Sequence, residues 1–299
     1  MMASPQPDLS VRTWKLTLAY DGTDFQGWQV QPGRPTIQGE LQAALGRVTG
    51  EAPLPQGSGR TDTGVHALAQ SASFQLHAPI PAANLHRALN RTLPASIRIL
   101  SAEVAPAGFH ARHSALAKTY EYRIFRGEIC PPFLARFVYP FPAPLDRAAL
   151  DESARLLAGT HDFLSFAATD PDRVARAARF SCAGGRAEEE DADSGGTPNS
   201  DAERRAGSTI RTILASHWEI RPETAGDLLV YTVRGNGFLH HMVRNMVGAM
   251  LDVGRGHLAA AAIPQILAAR SRSAAGPMAP ARGLFLHSVE YGEDRSSVR

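Results

Sequence analysis

Residues 57–64, with the sequence Gly-Ser-Gly-Arg-Thr-Asp-Thr-Gly, have the composition of a loop that presents a reactive side chain. Glycines frame Arg60 and Asp62, and threonine hydroxyls lie next to both in the chain. Glycine permits backbone angles and close approaches that other residues cannot make, so a carboxylate here, between two apolar segments, is suited to catalysis. Two other interpretations stay open. The aspartate could form an ordinary Asx turn, or the loop could bind phosphate, although it lacks the Gly-Lys-Ser/Thr ending of a Walker loop.

Two further segments carry side chains suited to an active site. A strand predicted at 118–125 places Lys118, Tyr120 and Tyr122 on one face. A tyrosine there serves either as core packing or as a flat ring that stacks on a nucleobase. A helix predicted at 238–253 is apolar almost all round, so Arg244 needs a carboxylate or phosphate partner unless it extends to solvent.

The histidines and cysteines do not have metal-binding spacing. The eleven histidines include no His-Glu-x-x-His segment, and the adjacent His240 and His241 are expected to point apart on the helix at 238–253. The two cysteines, Cys130 and Cys182, are far apart and form no Cys-x-x-Cys pair. We therefore predict no metal site, and nothing indicates a disulfide-dependent scaffold.

Charge is unevenly distributed along the chain. Residues 184–206 contain seven acidic residues and three arginines, a net charge of −4, so the remainder carries +6 against +2 for the whole chain. That remainder suits a polyanionic partner such as nucleic acid. The acidic segment has too little apolar content to pack, and we expect it to be a disordered insertion.

No membrane segment or export signal is predicted. No apolar run approaches the length that spans a bilayer, and the first residues lack the apolar core of a signal peptide. We expect a cytoplasmic protein.

Hydrophobic periodicity predicts strands and helices without strict alternation. Strands are predicted at 12–20, 70–76, 97–104, 118–125, 209–220, 227–233 and 283–291, and helices at 37–49, 81–93, 146–159, 238–253 and 263–269. We predict an α+β fold in which a pseudo-duplicated mixed or antiparallel sheet is flanked by helices. The predicted organisation is a disordered tail at 1–11, an N-terminal half at 12–126 with the glycine loop, a C-terminal half at 127–292 with the insertion at 184–206, and a tail at 293–299.

Residues 59–67, Gly-Arg-Thr-Asp-Thr-Gly-Val-His-Ala, resemble the catalytic loop of the tRNA pseudouridine synthase A (TruA) family. Further matches follow in the family's order: Tyr-Asp-Gly-Thr at 20–23 with Gly-Trp-Gln at 27–29, Phe-His-Ala-Arg at 109–112 before Lys-Thr-Tyr at 118–120, Gly-Phe-Leu at 237–239 leading to Met-Val-Arg-Asn at 242–245, and Ala-Pro at 279–280 before Gly-Leu at 283–284. They cover nearly the whole chain outside the first tail and the acidic insertion, which itself departs from the bacterial pattern. The resemblance implies the pseudouridine synthase fold and the isomerisation of uridine to pseudouridine in the anticodon stem-loop of tRNA, at positions 38, 39 and 40.

The resemblance also implies roles for individual residues. By motif position, Asp62 is the essential aspartate and nucleophile, Tyr120 stacks on the target base, and Arg60 and Arg244 are the substrate-binding arginines of the active site, with Arg244 pairing with the aspartate. Members of the family are similar in using no cofactor or catalytic metal, and in acting as homodimers in which one tRNA contacts both subunits.

The residues suit this chemistry, and two rival functions remain. An ionised carboxylate can attack C1′ of the uridine or remove a proton from C2′, and the sequence does not choose between these routes. A non-catalytic RNA-binding module would explain the arginines and aromatics but not the aspartate framed by glycines. A nucleotide hydrolase would explain the glycine loop but would need a lysine and a magnesium ligand.

Overall fold

The structure is a computed structural model that describes residues 11–168 and 208–292. The acidic segment at 184–206, Cys182 and the predicted tails, apart from Val11, lie outside the described residues. Among the described residues, no helix has the length and apolar composition needed to cross a bilayer.

Ten strands and five α-helices follow one another along the described chain. The strands are β1 Arg12–Tyr20, β2 Gln56–Gly57, β3 His66–Leu76, β4 Ile97–Val104, β5 Ala115–Phe125, β6 Tyr139–Pro140, β7 Gly159–Asp162, β8 Ile210–Glu223, β9 Gly226–Gly235 and β10 Leu284–Tyr291. The helices are α1 Ile37–Thr49, α2 Ala82–Thr92, α3 Arg147–Leu156, α4 Met242–Gly254 and α5 Ala262–Ala269.

The strands form a mixed sheet. Its order is β4-β1-β3-β10-β5-β9-β8-β7, with β2 paired to β3 and β6 paired to β5. The pair β3 and β10 and the pair β5 and β6 are parallel, whereas β1 with β3 and β5 with β9 are antiparallel. The predicted α+β class, with a mixed sheet flanked by helices, is confirmed.

The chain forms two compact units that each draw on separate stretches of sequence. Among the described residues, the first unit contains residues 11–144, 214–236 and 280–292, and the second contains residues 145–168, 208–213 and 237–279. We predicted from the sequence that the chain divides into halves at 12–126 and 127–292 and that the sheet is pseudo-duplicated. Both remain predictions.

In the first unit, local sequence signals determine β1 and α1 as expected. Trp14, Leu16 and Leu18 are fully buried on one face of β1, which confirms the predicted alternation. The Thr36 hydroxyl accepts the Gly39 N–H at the start of α1, a standard N-terminal cap. In the second unit, α3 packs against α4.

Several predicted boundaries were wrong, among them the start of β5, at Ala115 rather than residue 118, and the end of β8, at Glu223 rather than residue 220. β3 begins at His66 rather than residue 70, and α3 ends at Leu156 rather than near 159, where Gly159 starts β7. Helix α4 begins at Met242 rather than residue 238. His241 has φ +61°, a left-handed conformation that a continuing helix cannot contain. The apolar spacing continues back to Leu239, and periodicity therefore could not locate this start.

The expectation that His240 and His241 point apart on a helix was wrong for the same reason. Both residues precede α4, and their ring centroids are 3.8 Å apart.

Candidate active site

The glycine loop connects β2 to β3, and a buried glutamine on β3 fixes the beginning of the loop. The Gln70 side-chain oxygen accepts the Ser58 hydroxyl at 2.6 Å, and its nitrogen donates to the Gly59 carbonyl at 2.8 Å. The Ser58 N–H also donates to the Ser71 carbonyl at 2.8 Å. Each such hydrogen bond contributes about 1 kcal/mol net. Together these hydrogen bonds fix the direction in which the loop leaves the sheet.

The middle of the loop lies against the segment that follows β1. The Thr61 carbonyl accepts the Trp28 N–H at 3.0 Å, and the Thr61 hydroxyl is 2.8 Å from the Tyr20 hydroxyl. Gly27 has φ +84°, and a Cβ at this position would lie 2.6 Å from the Thr61 carbonyl oxygen. Both the backbone conformation and the close contact require glycine.

A tight turn places Asp62 four residues before β3. The Val65 N–H donates to the Asp62 carbonyl at 3.1 Å, and Gly64, the third residue of this turn, has φ +76°. Glycine is the usual residue where the third position of a turn is left-handed. Asp62 itself is half-buried. The carboxylate is therefore accessible but carried by a constrained backbone.

The central strand β5 supplies two side chains to the same loop. The Lys118 ammonium donates a hydrogen bond to the Ser58 carbonyl. A Cβ on Gly59 would lie 3.3 Å from Lys118 Nζ and 3.7 Å from the Tyr120 hydroxyl oxygen. Lys118 and Tyr120 are two residues apart on one strand, so they share a face and contact the loop together.

The electrostatics of Tyr120 link it to Asp62. Burial, the neighbouring Tyr20 and the negative charge of Asp62 all raise the pKa of the Tyr120 phenol above its ordinary value. Burial also raises the pKa of Tyr20 to about 12. Both phenols are therefore neutral near pH 7, and Tyr120 can donate a hydrogen bond or present its ring but cannot act as a base there.

The two predicted arginines have different surroundings. Arg60 is exposed on the loop, two residues before Asp62. Arg244 belongs to the first turn of α4 in the second unit, where its Nε donates to the Ala279 carbonyl at 2.9 Å and its own carbonyl accepts the Ala279 N–H. The structure thus places Tyr120 close to the loop that carries Arg60 and Asp62, within the first unit, and the pairing of Arg244 with Asp62 stays a proposal.

His66, at the end of the loop, connects it to two other segments of the first unit. Its Nδ1 accepts the Gly22 N–H at 3.1 Å, so its Nε2 carries the proton and donates to the Arg136 carbonyl at 3.1 Å. Burial lowers the pKa of His66; the Asp21 carboxylate, 3.3 Å from Nδ1, opposes this shift without cancelling it. The neutral ring is the form that fits this site.

This lowered pKa predicts a loss of stability in mild acid. Below the ordinary pKa of about 6.5, the unfolded chain binds a proton at His66 that the folded chain resists. The stabilising contribution is therefore present above that pH and decreases as the pH falls. We expect the free energy of unfolding of the wild type to decrease between pH 7 and pH 5. That of the His66→Gln protein should decrease less over the same interval. Urea titrations at each pH measure this, with His77→Gln, at an exposed histidine, as the control. An unchanged pH dependence in His66→Gln would contradict the prediction.

A half-buried carboxylate on a braced loop, beside a neutral phenol, is an arrangement that suits catalysis. A family model described as tRNA pseudouridine synthase matches residues 17–114 and 196–292. The chain belongs to this family and has its fold, and it is an isomerase by that membership.

Curated relatives match along almost the whole chain. The tRNA pseudouridine synthase A of Solibacter usitatus is 48% identical over 281 residues, which cover 94% of this chain and 100% of the relative. The protein of the same name from Moorella thermoacetica is 42% identical, covering 93% and 98% of the two chains. That from Lacticaseibacillus casei is 38% identical, covering 93% and 99%.

Sequence reasoning missed the residues that hold the loop in place. Gly27, Lys118 and Gln70 each contact the loop, yet none was assigned a role from the sequence. Gly27 and Lys118 lie in the matched segments at 27–29 and 118–120, and this was the only available signal. No sequence pattern indicated a role for Gln70, because a polar residue in a strand does not reveal its hydrogen-bond partner.

Proposed function

We propose that this protein isomerises uridine to pseudouridine in the anticodon stem-loop of tRNA, at positions 38, 39 and 40, with Asp62 as the nucleophile. The observation that supports this most strongly is the accessible Asp62 carboxylate, carried on a loop braced by Gln70, Lys118 and Gly27. Preorganised geometry is what an enzyme needs to hold a reacting group within bonding distance of its substrate.

The reaction rearranges bonds without net addition of atoms. The N1–C1′ bond breaks, the uracil turns over, and a C5–C1′ bond forms, while the proton on C5 leaves and N1 acquires one. The Asp62 carboxylate can attack C1′ to form a covalent intermediate, or remove a proton from C2′. Uracil is a tolerable leaving group that stays in the site, so one carboxylate suffices where glycosidases use two.

Tyr120 and the two arginines take supporting roles in this proposal. The target base must be flipped out of the stem, at a cost of a few kcal/mol, and stacking on an aromatic ring returns about 1–3 kcal/mol. Tyr120 is 7% exposed and neutral; in this proposal its rigidly held ring stacks on the flipped base. Arg60 and Arg244 would bind the substrate, and Arg244 would keep Asp62 ionised by pairing with it.

The remaining parts of the proposal concern partners and location. We propose a cytoplasmic homodimer in which one tRNA contacts both subunits, and a reaction that uses no cofactor or catalytic metal. The residues outside the acidic segment 184–206 carry +6, which supports a polyanionic substrate.

The test is release of tritium from tRNA labelled at C5 of its uridines, because forming the C5–C1′ bond must expel that hydrogen. Transcripts that retain one uridine at position 38, 39 or 40 report which sites react. We expect release from these transcripts, unchanged by a chelator, and none from a transcript without uridine in the anticodon stem-loop. Tight binding without release would favour a non-catalytic RNA-binding module, and inhibition by chelator that one divalent ion reverses would refute the metal-free reaction.

A further inference from the structure

The turn between β4 and β5, residues 106–114, carries His110, Arg112 and His113, which have no part in the proposed chemistry. Arg112 and His113 are exposed, and His110 is half-buried. The ring centroids of the two histidines are 4.3 Å apart. This grouping of potential cations needs an explanation.

The backbone of this turn is held firmly by the sheet. Ala111 is fully buried; its N–H donates to the Ser73 hydroxyl at 3.0 Å, and its carbonyl accepts the Tyr291 hydroxyl at 2.8 Å. Ser114 closes the turn, because its N–H donates to the His110 carbonyl and its hydroxyl accepts the His110 N–H. The side chains on either side of Ala111 therefore start from fixed positions.

Hydrogen bonds determine which protons His110 can carry. Its Nδ1 accepts the backbone N–H groups of Arg112 at 3.1 Å and His113 at 3.4 Å. Nδ1 therefore has no proton, and Nε2 carries the ring's N–H. Burial, His113 and Arg112 all lower the pKa of His110, in agreement with a ring that stays neutral and offers one fixed donor.

His113 differs from His110, because neither nitrogen of its ring takes part in the hydrogen bonds of the turn described above. Burial, Arg112 in the same turn and Lys118 on β5 lower the pKa of His113. Ser73 of β3 and Tyr291 of β10, which hydrogen-bond to the backbone of Ala111 in the same turn, are neutral hydroxyls. The charges that shift the pKa of His113 are thus all positive, and an anion that entered here would raise it.

We propose that residues 110–113 form a binding site for an RNA backbone phosphate, with Arg112 as the permanent charge, His110 Nε2–H as a neutral donor, and His113 as a second cation that gains its proton when the phosphate binds. The site rests on the proposed function, because it takes its ligand from the tRNA. Arginine is well suited to phosphate through its planar set of donors, and fixed donors lose little freedom on binding.

This site makes tRNA binding depend on pH. If the phosphate stabilises the protonated His113, binding takes up a proton, and affinity increases as the pH falls through the range where the free ring is neutral. An ordinary arginine–phosphate contact has no such dependence, since the guanidinium stays charged.

The experiment measures the affinity for an unmodified tRNA transcript at pH 6, 7 and 8 and at several salt concentrations. We expect wild type to bind several-fold more tightly at pH 6 than at pH 8, and His113→Gln to lose most of that difference. Arg112→Ala should weaken binding at every pH and reduce the slope of log affinity against log salt by about 1. His77→Gln and Arg155→Ala are the controls. Arg155 is exposed and paired with Glu152, and Arg155→Ala removes one positive charge, as Arg112→Ala does.

Two outcomes would overturn the site while leaving the proposed function intact. One is a His113→Gln protein that keeps the wild-type pH dependence, and the other is an Arg112→Ala protein with the salt slope of Arg155→Ala. Failure of the wild type to bind tRNA or release tritium would instead contradict the proposed function. All four substitutions lie at exposed positions. Thermal melts of the four variants check that each protein is folded.

Discussion

Asp62→Asn is expected to reduce tritium release from C5-labelled tRNA by at least about 10⁴-fold, the scale on which removal of a nucleophile acts in other enzymes. Asparagine has nearly the same shape but no negative charge, so it can neither attack C1′ nor accept the C2′ proton. The affinity for tRNA should change little, because a carboxylate provides no attraction to phosphate. Single-turnover release and tRNA binding, measured on the same preparations, test both parts.

Asp151→Asn is the matched control for this variant. Asp151 lies on the surface of α3, paired with Arg147, and its substitution removes the same charge with no expected effect on turnover. Asp62→Ala extends the test, since it also removes the amide that asparagine retains. Full activity in Asp62→Asn with intact binding would remove the aspartate from the mechanism and favour the binding-module interpretation.

Gly27→Ala is expected to lower turnover by about 10²-fold, although residue 27 has no reactive group. A Cβ at this position would lie 2.6 Å from the Thr61 carbonyl oxygen and 3.1 Å from the Asp62 carbonyl carbon, so the loop must move to accommodate it. A displacement of about 1 Å in a catalytic group can cost this much in rate. Steady-state release of tritium measures kcat, and thermal melts measure the accompanying loss of stability.

Gly33→Ala separates the effect of contact from the effect of backbone strain. Gly33 also has positive φ, +67°, but a Cβ there would meet nothing within 4 Å. Both variants therefore carry the cost of an alanine in a left-handed conformation, on the order of 1 kcal/mol, and only Gly27→Ala moves the catalytic loop. Equal losses of kcat in the two variants would show that strain, rather than contact with the loop, explains the result.

Features that depend on neighbouring residues in the chain could be predicted from the sequence alone. The alternation of Trp14, Leu16 and Leu18 predicted β1 and its buried face, and Gly50 marked the end of α1. These signals arise from the periodicity of a strand and from the capping of a helix, which are local properties. The glycine loop with Asp62 was identified from local sequence too, because its residue types and spacing are unusual, and the resemblance of several ordered motifs indicated the family.

How that loop is held, and which residues surround it, depends on contacts between distant parts of the chain. Gln70, Lys118 and Gly27 reach the loop only because β3, β5 and the segment after β1 meet there, and pairing between distant strands leaves no local pattern. The start of α4 was missed for a related reason: the left-handed His241 interrupts an apolar spacing that continues on both sides of it. The sequence thus named the reactive group, whereas long-range packing determined the geometry in which that group can act.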